Sequence, residues 1–169
     1  TMNGGPAPCL HILSAARGKV CYNVESHINF GSTDMHQRMV DLPMLLADFL
    51  PQIGLGIKGF LFWQYRPEIL GLESPAWGLV KTDGTARPIT EAVRRLWATL
   101  QPHAEALRRA FPPPAEIGVW RSRKNEIFHF AMQGTVADFG ASVDAYVNAL
   151  YWGNWPCRII SGEMLATGA

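Results

Sequence analysis

The run Ile57-Lys-Gly-Phe-Leu-Phe-Trp-Gln-Tyr65 decides how the chain is read. It is nearly all apolar, with no regular in–out alternation, which is the pattern of a strand covered on both faces in a parallel sheet. Just upstream, Gly54-Leu-Gly56 closes a helical pattern from Met35 to Leu50, where Met39, Leu42, Leu46 and Phe49 recur at spacings of three or four. Pro43 falls inside it, so either the helix kinks there or it begins with Asp41 as cap. Gly31-Ser-Thr-Asp34 supplies turn and N-cap chemistry before it. Further upstream, Lys19-Val-Cys-Tyr-Asn-Val-Glu25 reads as a strand, with Val20, Tyr22 and Val24 alternating and a carboxylate at its end. Downstream, a long connection rich in Gly, Pro and turn residues such as Asp83-Gly84 runs from Arg66 to Pro88, and connections of that length are usually functional or disordered. Ile89, Val93, Leu96, Trp97 and Leu100 then mark one face of an amphipathic helix that continues, with a bend near Pro102, to Ala110.

Pro112-Pro-Pro114 is a stiff boundary marker. Beyond it, Glu116-Ile-Gly-Val-Trp-Arg121 reads as a strand, Phe139 to Trp152 as a helix with Val143, Tyr146, Val147 and Leu150 on one side, and Cys157-Arg-Ile-Ile160 as a second strand. This is one βαβ unit, the start of a parallel doubly wound domain. The expected organisation is α/β, with one domain over residues 1–111 and a second, incomplete one over residues 112–169. Each has too few strands to close its edges or cover its apolar faces. The chain is therefore expected to be a piece of a longer polypeptide, with completion by a partner as the other explanation.

Composition narrows the classes of function. Of 169 residues, 48% are hydrophobic and 17% charged, as in a packed globular protein. A formal net charge of +1 suggests neither nucleic acid nor an anionic membrane surface as partner. Cys9, Cys21 and Cys157 lack C-x-x-C spacing and are odd in number, so neither a zinc site nor a disulfide framework is expected. His11, His36, His103 and His129 likewise show no metal-ligand spacing, and no cofactor is expected. The first residues carry no basic stretch with an apolar signal core, and no run reaches the ~20 apolar residues of a membrane span. The expected location is the cytoplasm.

Three places hold residues suited to sugar chemistry. Glu25 lies at the C-terminal end of its strand, the end from which barrel enzymes draw catalytic groups. Asn23, Ser26, His27 and Asn29 around it are able to hydrogen-bond a carboxylate or hydroxyls, although strand-end glutamates are also common on plain surfaces. In Phe62-Trp-Gln-Tyr-Arg66, Trp63 and Tyr65 offer flat apolar faces to a pyranose while Gln64 and Arg66 donate hydrogen bonds; aromatic clusters in strands more often fill cores. Gly71-Leu-Glu-Ser-Pro-Ala-Trp77 places a carboxylate and an indole on the long loop, where an ordinary exposed turn is equally compatible.

Taken in order, these stretches resemble glycoside hydrolase family 42, whose best-known members are β-galactosidases. The resemblance runs from Tyr22-Asn-Val-Glu25 through Gly59-Phe-Leu-Phe-Trp-Gln-Tyr-Arg66, Gly71-Leu-Glu73, Gly78-Leu-Val and Asp83-Gly84-Thr-Ala-Arg87. After Pro112-Pro-Pro114, Ala115-Glu-Ile-Gly-Val-Trp is similar to the entry into that family's second domain, and Ala149-Leu-Tyr151 to a stretch of its first helix. Just beyond Glu73 the chain departs from the family, having Pro75-Ala76-Trp77 where many members have Phe-His. The cysteine cluster that binds zinc in some members is missing.

What the resemblance implies is the C-terminal part of a (β/α)₈ barrel followed by the first βαβ of a flavodoxin-like trimerisation domain. Its implied activity is retaining hydrolysis of terminal β-galactosides, with a carbohydrate substrate and a homotrimer or the missing barrel segment as partners. Glu25 would be the nucleophile at the end of the seventh strand. Trp63, Gln64 and Arg66 would line the sugar site at the end of the eighth, with Glu73 in the following loop and His27 beside the nucleophile. The acid/base glutamate would lie upstream, at the end of strand four. Because retaining hydrolysis needs two carboxyl groups roughly 5–5.5 Å apart, these 169 residues alone are expected to be inactive. The other expectation, from a different class, is a non-catalytic interaction or oligomerisation subunit that kept the fold. A nucleotide or flavin site after Pro114 is disfavoured, since Arg121-Ser-Arg-Lys-Asn lacks the glycines of a phosphate loop.

Overall fold

The computed structural model describes residues 6–27, 29–30, 38–39, 42–71, 73–75 and 77–168. In chain order these form α1 (Ala7–Ala16), β1 (Cys21–Ser26), β2 (Asn29–Phe30), β3 (Arg38–Met39), α2 (Leu42–Leu55), β4 (Ile57–Phe62) and α3 (Pro88–Leu100). A 3-10 turn (Gln101–His103) leads to α4 (Ala104–Arg109), followed by β5 (Ile117–Trp120), α5 (Arg123–Gln133), α6 (Ala137–Trp152), β6 (Cys157–Ile160) and α7 (Gly162–Thr167). β1 pairs with β4 and β5 with β6, both parallel, while β2 and β3 form a short antiparallel pair. The chain is thus mixed α/β with small parallel sheets.

It divides into two compact units. The first is Val20–Phe111; the second joins Pro112–Ala169 to the described residues 6–19. The sequence places residues 1–111 together, whereas α1 packs on β6 and α6 and buries Ala7, Cys9 and Leu10. Ser14 Oγ also accepts the Ile159 amide at 2.9 Å.

In the first unit, α2 supplies Leu45 and Phe49 and α3 supplies Ile89, Ala92 and Leu96 to one core, against which Phe60 and Phe62 of β4 pack. The Phe49 ring lies 4.5 Å from Phe60 and 5.5 Å from Phe62. Asn23 Nδ2 donates to Gln52 Oε1 at 3.0 Å, and Gln52 Nε2 to the Asp48 carbonyl, so a buried amide ties β1 to α2. The other face of this sheet is different. Val20, Tyr22, Val24 and Leu61 are each more than half exposed. Cover on both faces, expected from the apolar run, is therefore found on one face only, because two strands and their helices form a single sandwich layer.

The expected helix from Met35 to Leu50 is also corrected. Arg38–Met39 belong to β3, and α2 begins at Leu42 with Pro43 in its first turn, where a missing amide hydrogen costs nothing. The helical spacing of Met39 and Leu42 simply runs across that boundary. The turn at Gly31–Asp34 and the Asp41 cap lie outside the described residues. Among the described residues of 63–87 there is no helix or strand, in keeping with the long connection, apart from an isolated bridge between Val80 and Ala86. Its turn is closed by the Asp83 carboxylate, which accepts the Thr85 amide (2.9 Å) and hydroxyl (2.7 Å). Those two bonds hold the Asp83 carboxyl below its usual range. The α3–α4 segment bends at Gln101–His103, as the Pro102 position predicts.

In the second unit β5 and β6 run in register, Ile117 opposite Cys157 and Trp120 opposite Ile160, and α6 buries Val143 and Val147. The expected strand–helix–strand order is present with an added helix, α5, before α6. Among the described residues, no helix is long and apolar enough to cross a membrane.

Candidate active site

The C-terminal ends of β1 and β4 lie side by side, since the Trp63 amide donates to the Ser26 carbonyl at 2.9 Å. Just before this point the ladder is irregular. Asn23 is opposite Phe60 but Ser26 is opposite Phe62, so three steps on β1 match two on β4. An extra residue in a strand re-aims side chains that strict alternation would send elsewhere. Here the residues concerned are Val24 and Glu25, both exposed.

Glu25 Oε1 is 3.6 Å from His27 Nε2, outside ordinary hydrogen-bond length but close enough for charge interaction when the ring is protonated. The Glu25 amide donates to Asn23 Oδ1 at 3.3 Å, so the local chain is pinned by its own side chain. The His27 ring stacks on Trp77 with centroids 4.5 Å apart and planes at 28°. Trp77 in turn is fixed through its carbonyl, which accepts the Gln64 amide at 2.8 Å. Two loop amides continue this ladder: Leu79 donates to the Gln64 carbonyl (2.9 Å) and Val80 to the Tyr65 carbonyl (3.0 Å). The loop after β4 therefore folds back along its own strand end. Trp63, joined to Gln64 by a cis peptide bond, donates its indole N–H to Glu73 Oε2 at 2.9 Å.

Of the residues singled out in the sequence, Glu25, His27, Trp63, Gln64 and Glu73 are thus linked by contacts at one end of one parallel pair. Arg66 is exposed and takes no part in these contacts among the described residues. Tyr65 is 69% exposed and contributes only backbone. Trp77 has a larger role than its loop position suggested. No spacing rule points to a residue that holds His27 from a loop fifty positions later in the chain.

Two residues named from the sequence show a feature that only the structure reveals. Ser26 Oγ and Gln64 Nε2 are buried without a hydrogen-bond partner among the described residues. Leaving a buried donor or acceptor unpaired costs about 1–3 kcal/mol, so such groups ordinarily find a partner in protein, water or ligand. Both sit at this strand end. The site accordingly combines an exposed carboxylate, a second carboxylate held by an indole, a ring-stacked histidine and two unsatisfied polar atoms. That set can hold a polyhydroxylated ring and present a nucleophile to it. Among the described residues no three His, Cys, Asp or Glu side chains gather as metal ligands. Set against protein-family models, curated proteins and solved structures, the chain matches none of them.

Proposed function

We propose that this chain is the C-terminal part of a retaining β-glycosidase, of the β-galactoside-cleaving kind, with Glu25 as its nucleophile. The observation that carries the reading is the meeting of Glu25, His27, Trp63 and Glu73 at the C-terminal ends of two adjacent parallel strands, the face from which (β/α)₈ barrels act. In this role the Glu25 carboxylate attacks the anomeric carbon and displaces the leaving oxygen, which takes a proton from an acid/base glutamate on a strand outside these residues. Water then cleaves the glycosyl–enzyme ester and returns the proton. Trp63 and Glu73 hold the sugar as a pair, the indole N–H fixing the carboxylate and leaving its other oxygen for a hydroxyl. Ser26 and Gln64 gain their missing partners from substrate or from neighbouring barrel strands.

The apolar face carrying Val20, Tyr22, Val24 and Leu61 and the open edges of β1 and β4 support barrel completion by further strands. The β5–β6 unit then stands as the opening of a flavodoxin-like domain, with trimer formation as its role. The same open face is compatible with a non-catalytic subunit, so the test must read chemistry. The native-length source protein is incubated with a 2-fluoro-β-galactoside, which traps glycosyl–enzymes, and analysed by mass spectrometry. One adduct on the peptide holding Glu25 is expected, lost in Glu25→Gln, with no turnover by residues 1–169 alone. No adduct on the folded protein, or an adduct on another carboxylate, overturns the reading.

A further inference from the structure

The second unit carries a cleft with different chemistry. It is open, about 710 Å³ in volume, and lies at the C-terminal ends of β5 and β6. Arg17, Arg121 and Arg123 line it against a single lining carboxylate, Glu126. Ile127, Phe130 and Met164 add an apolar wall.

Two of the guanidinium groups are held in place. Arg121 Nε donates to Glu126 Oε1 at 2.7 Å, and its Nη1 is 3.0 Å from His11 Nδ1. A guanidinium only donates, so His11 Nδ1 accepts and the ring proton sits on Nε2, which faces Asp144 Oδ1 at 2.8 Å. Glu126, Arg121, His11 and Asp144 thus form one chain of bonds that fixes the Arg121 fork. Arg17 is 3.2 Å from Glu163. Arg123 has no ion pair among the described residues, and its charge is the one left over.

We propose that this cleft binds a small phosphate monoester carried on an apolar, ring-sized body. Guanidinium forks match phosphate oxygens two at a time, and the fork of Arg123 is the one free to take them, since Arg121 is engaged by Glu126 and His11 and Arg17 by Glu163. The apolar wall takes the body, and the carboxyl ends of parallel strands are where open α/β sheets place their ligands. The phosphate is gripped by side chains. A glycine-rich backbone loop is not needed, which is why the absence of one after β5 does not exclude it. The proposal does not depend on the glycosidase reading, because it concerns a separate unit and a separate ligand.

The test is titration of the 169-residue chain with phenyl phosphate, inorganic phosphate and benzoate, followed by amide NMR. Phenyl phosphate is expected to shift the amides around Arg123, Phe130 and Met164 saturably, and to bind roughly tenfold more tightly than either of the others. Arg123→Gln, an exposed change that leaves the remaining spectrum intact, weakens it by about tenfold. Phe130→Ala removes the advantage over inorganic phosphate. Absence of saturable shifts, or an affinity unmoved by Arg123→Gln, overturns the proposal; benzoate binding as tightly as phenyl phosphate overturns the phosphate assignment.

Discussion

Each unit contains a parallel pair of strands joined through helices, yet the two pairs end in opposite chemistry. At the end of β1–β4 the strands run on into carboxylates, indoles and a long loop that folds back to bond its own strand. At the end of β5–β6 the chain turns directly into helices capped by Ser122 and Ser161, and presents guanidinium groups. A parallel pair supplies only the place, the carboxyl end, where side chains from neighbouring strands converge. The chemistry of that place is set by the segment leaving the strand: a long loop can return aromatic plates over it, whereas an immediate helix presents only the residues along its near side.

The comparison breaks most visibly if the units do not stand alone. Phe49 is 1% exposed and packs on both Phe60 and Phe62, so Phe49→Ala is expected to cost the first unit about 3–5 kcal/mol. Val147 is fully buried in the second, and Val147→Ala is expected to cost that unit roughly 2 kcal/mol. Residue-resolved hydrogen exchange in urea reads each separately. Loss of protection spreading equally through both units in either variant would show one cooperative fold.

A smaller change sharpens the difference in how the strand ends are finished. Gly78 is buried in the returning loop, where an added Cβ would sit against the Pro67 ring and 2.5 Å from the Val80 carbonyl oxygen. Backbone cannot yield as a flexible side chain does. Gly78→Ala should therefore cost about 1–3 kcal/mol, push Trp77 off His27 and leave the second unit untouched. Loss of the His27 ring-current shift, with the β5–β6 amide shifts unchanged, checks this. A variant that keeps the stacking would mean that the loop is not braced at Gly78.

Legibility from sequence divided along the same line. The strand around Tyr22 and the helix from Ile89 are readable because their apolar residues follow the spacing of the element, and the strand around Phe60 because its apolar run is nearly continuous. The companionship of Glu25, Trp63 and Glu73 came from motif resemblance and order, and no periodicity contains it. α5 went unread because Phe128, Phe130 and Met132 are exposed, so no clean buried stripe marks the helix; its available signals were the Ser122 cap and the left-handed Gly134 that ends it. α1 was missed for a related reason, with three buried residues near its start and no polar face opposite. The unpaired Ser26 and Gln64 atoms are beyond any sequence reading, since burial without a partner is a property of the assembled strand ends.

The smallest expected effect concerns the exposed surface of α3. Glu91 binds Arg94 Nε at 2.7 Å and Arg95 Nε at 3.0 Å, and these guanidinium bonds bring its carboxyl from the ordinary 4.5 down to about 2. A carboxyl whose folded value is depressed stabilises the fold fully above the unfolded value, and loses that contribution as pH falls through the folded one. The window is therefore between pH 4.5 and about 2. Because all three side chains are exposed, the gain is a small one, screened by water and salt. Carboxyl-carbon NMR of Glu91 should show a midpoint near 2, moved upward by Arg94→Gln. Glu91→Gln should flatten the acid limb of the first unit's stability while leaving neutral pH nearly unchanged. An unshifted midpoint would mean that the two arginines spend their time in solvent, and that α3 is held by Ile89, Ala92 and Leu96 with no help from its charged face.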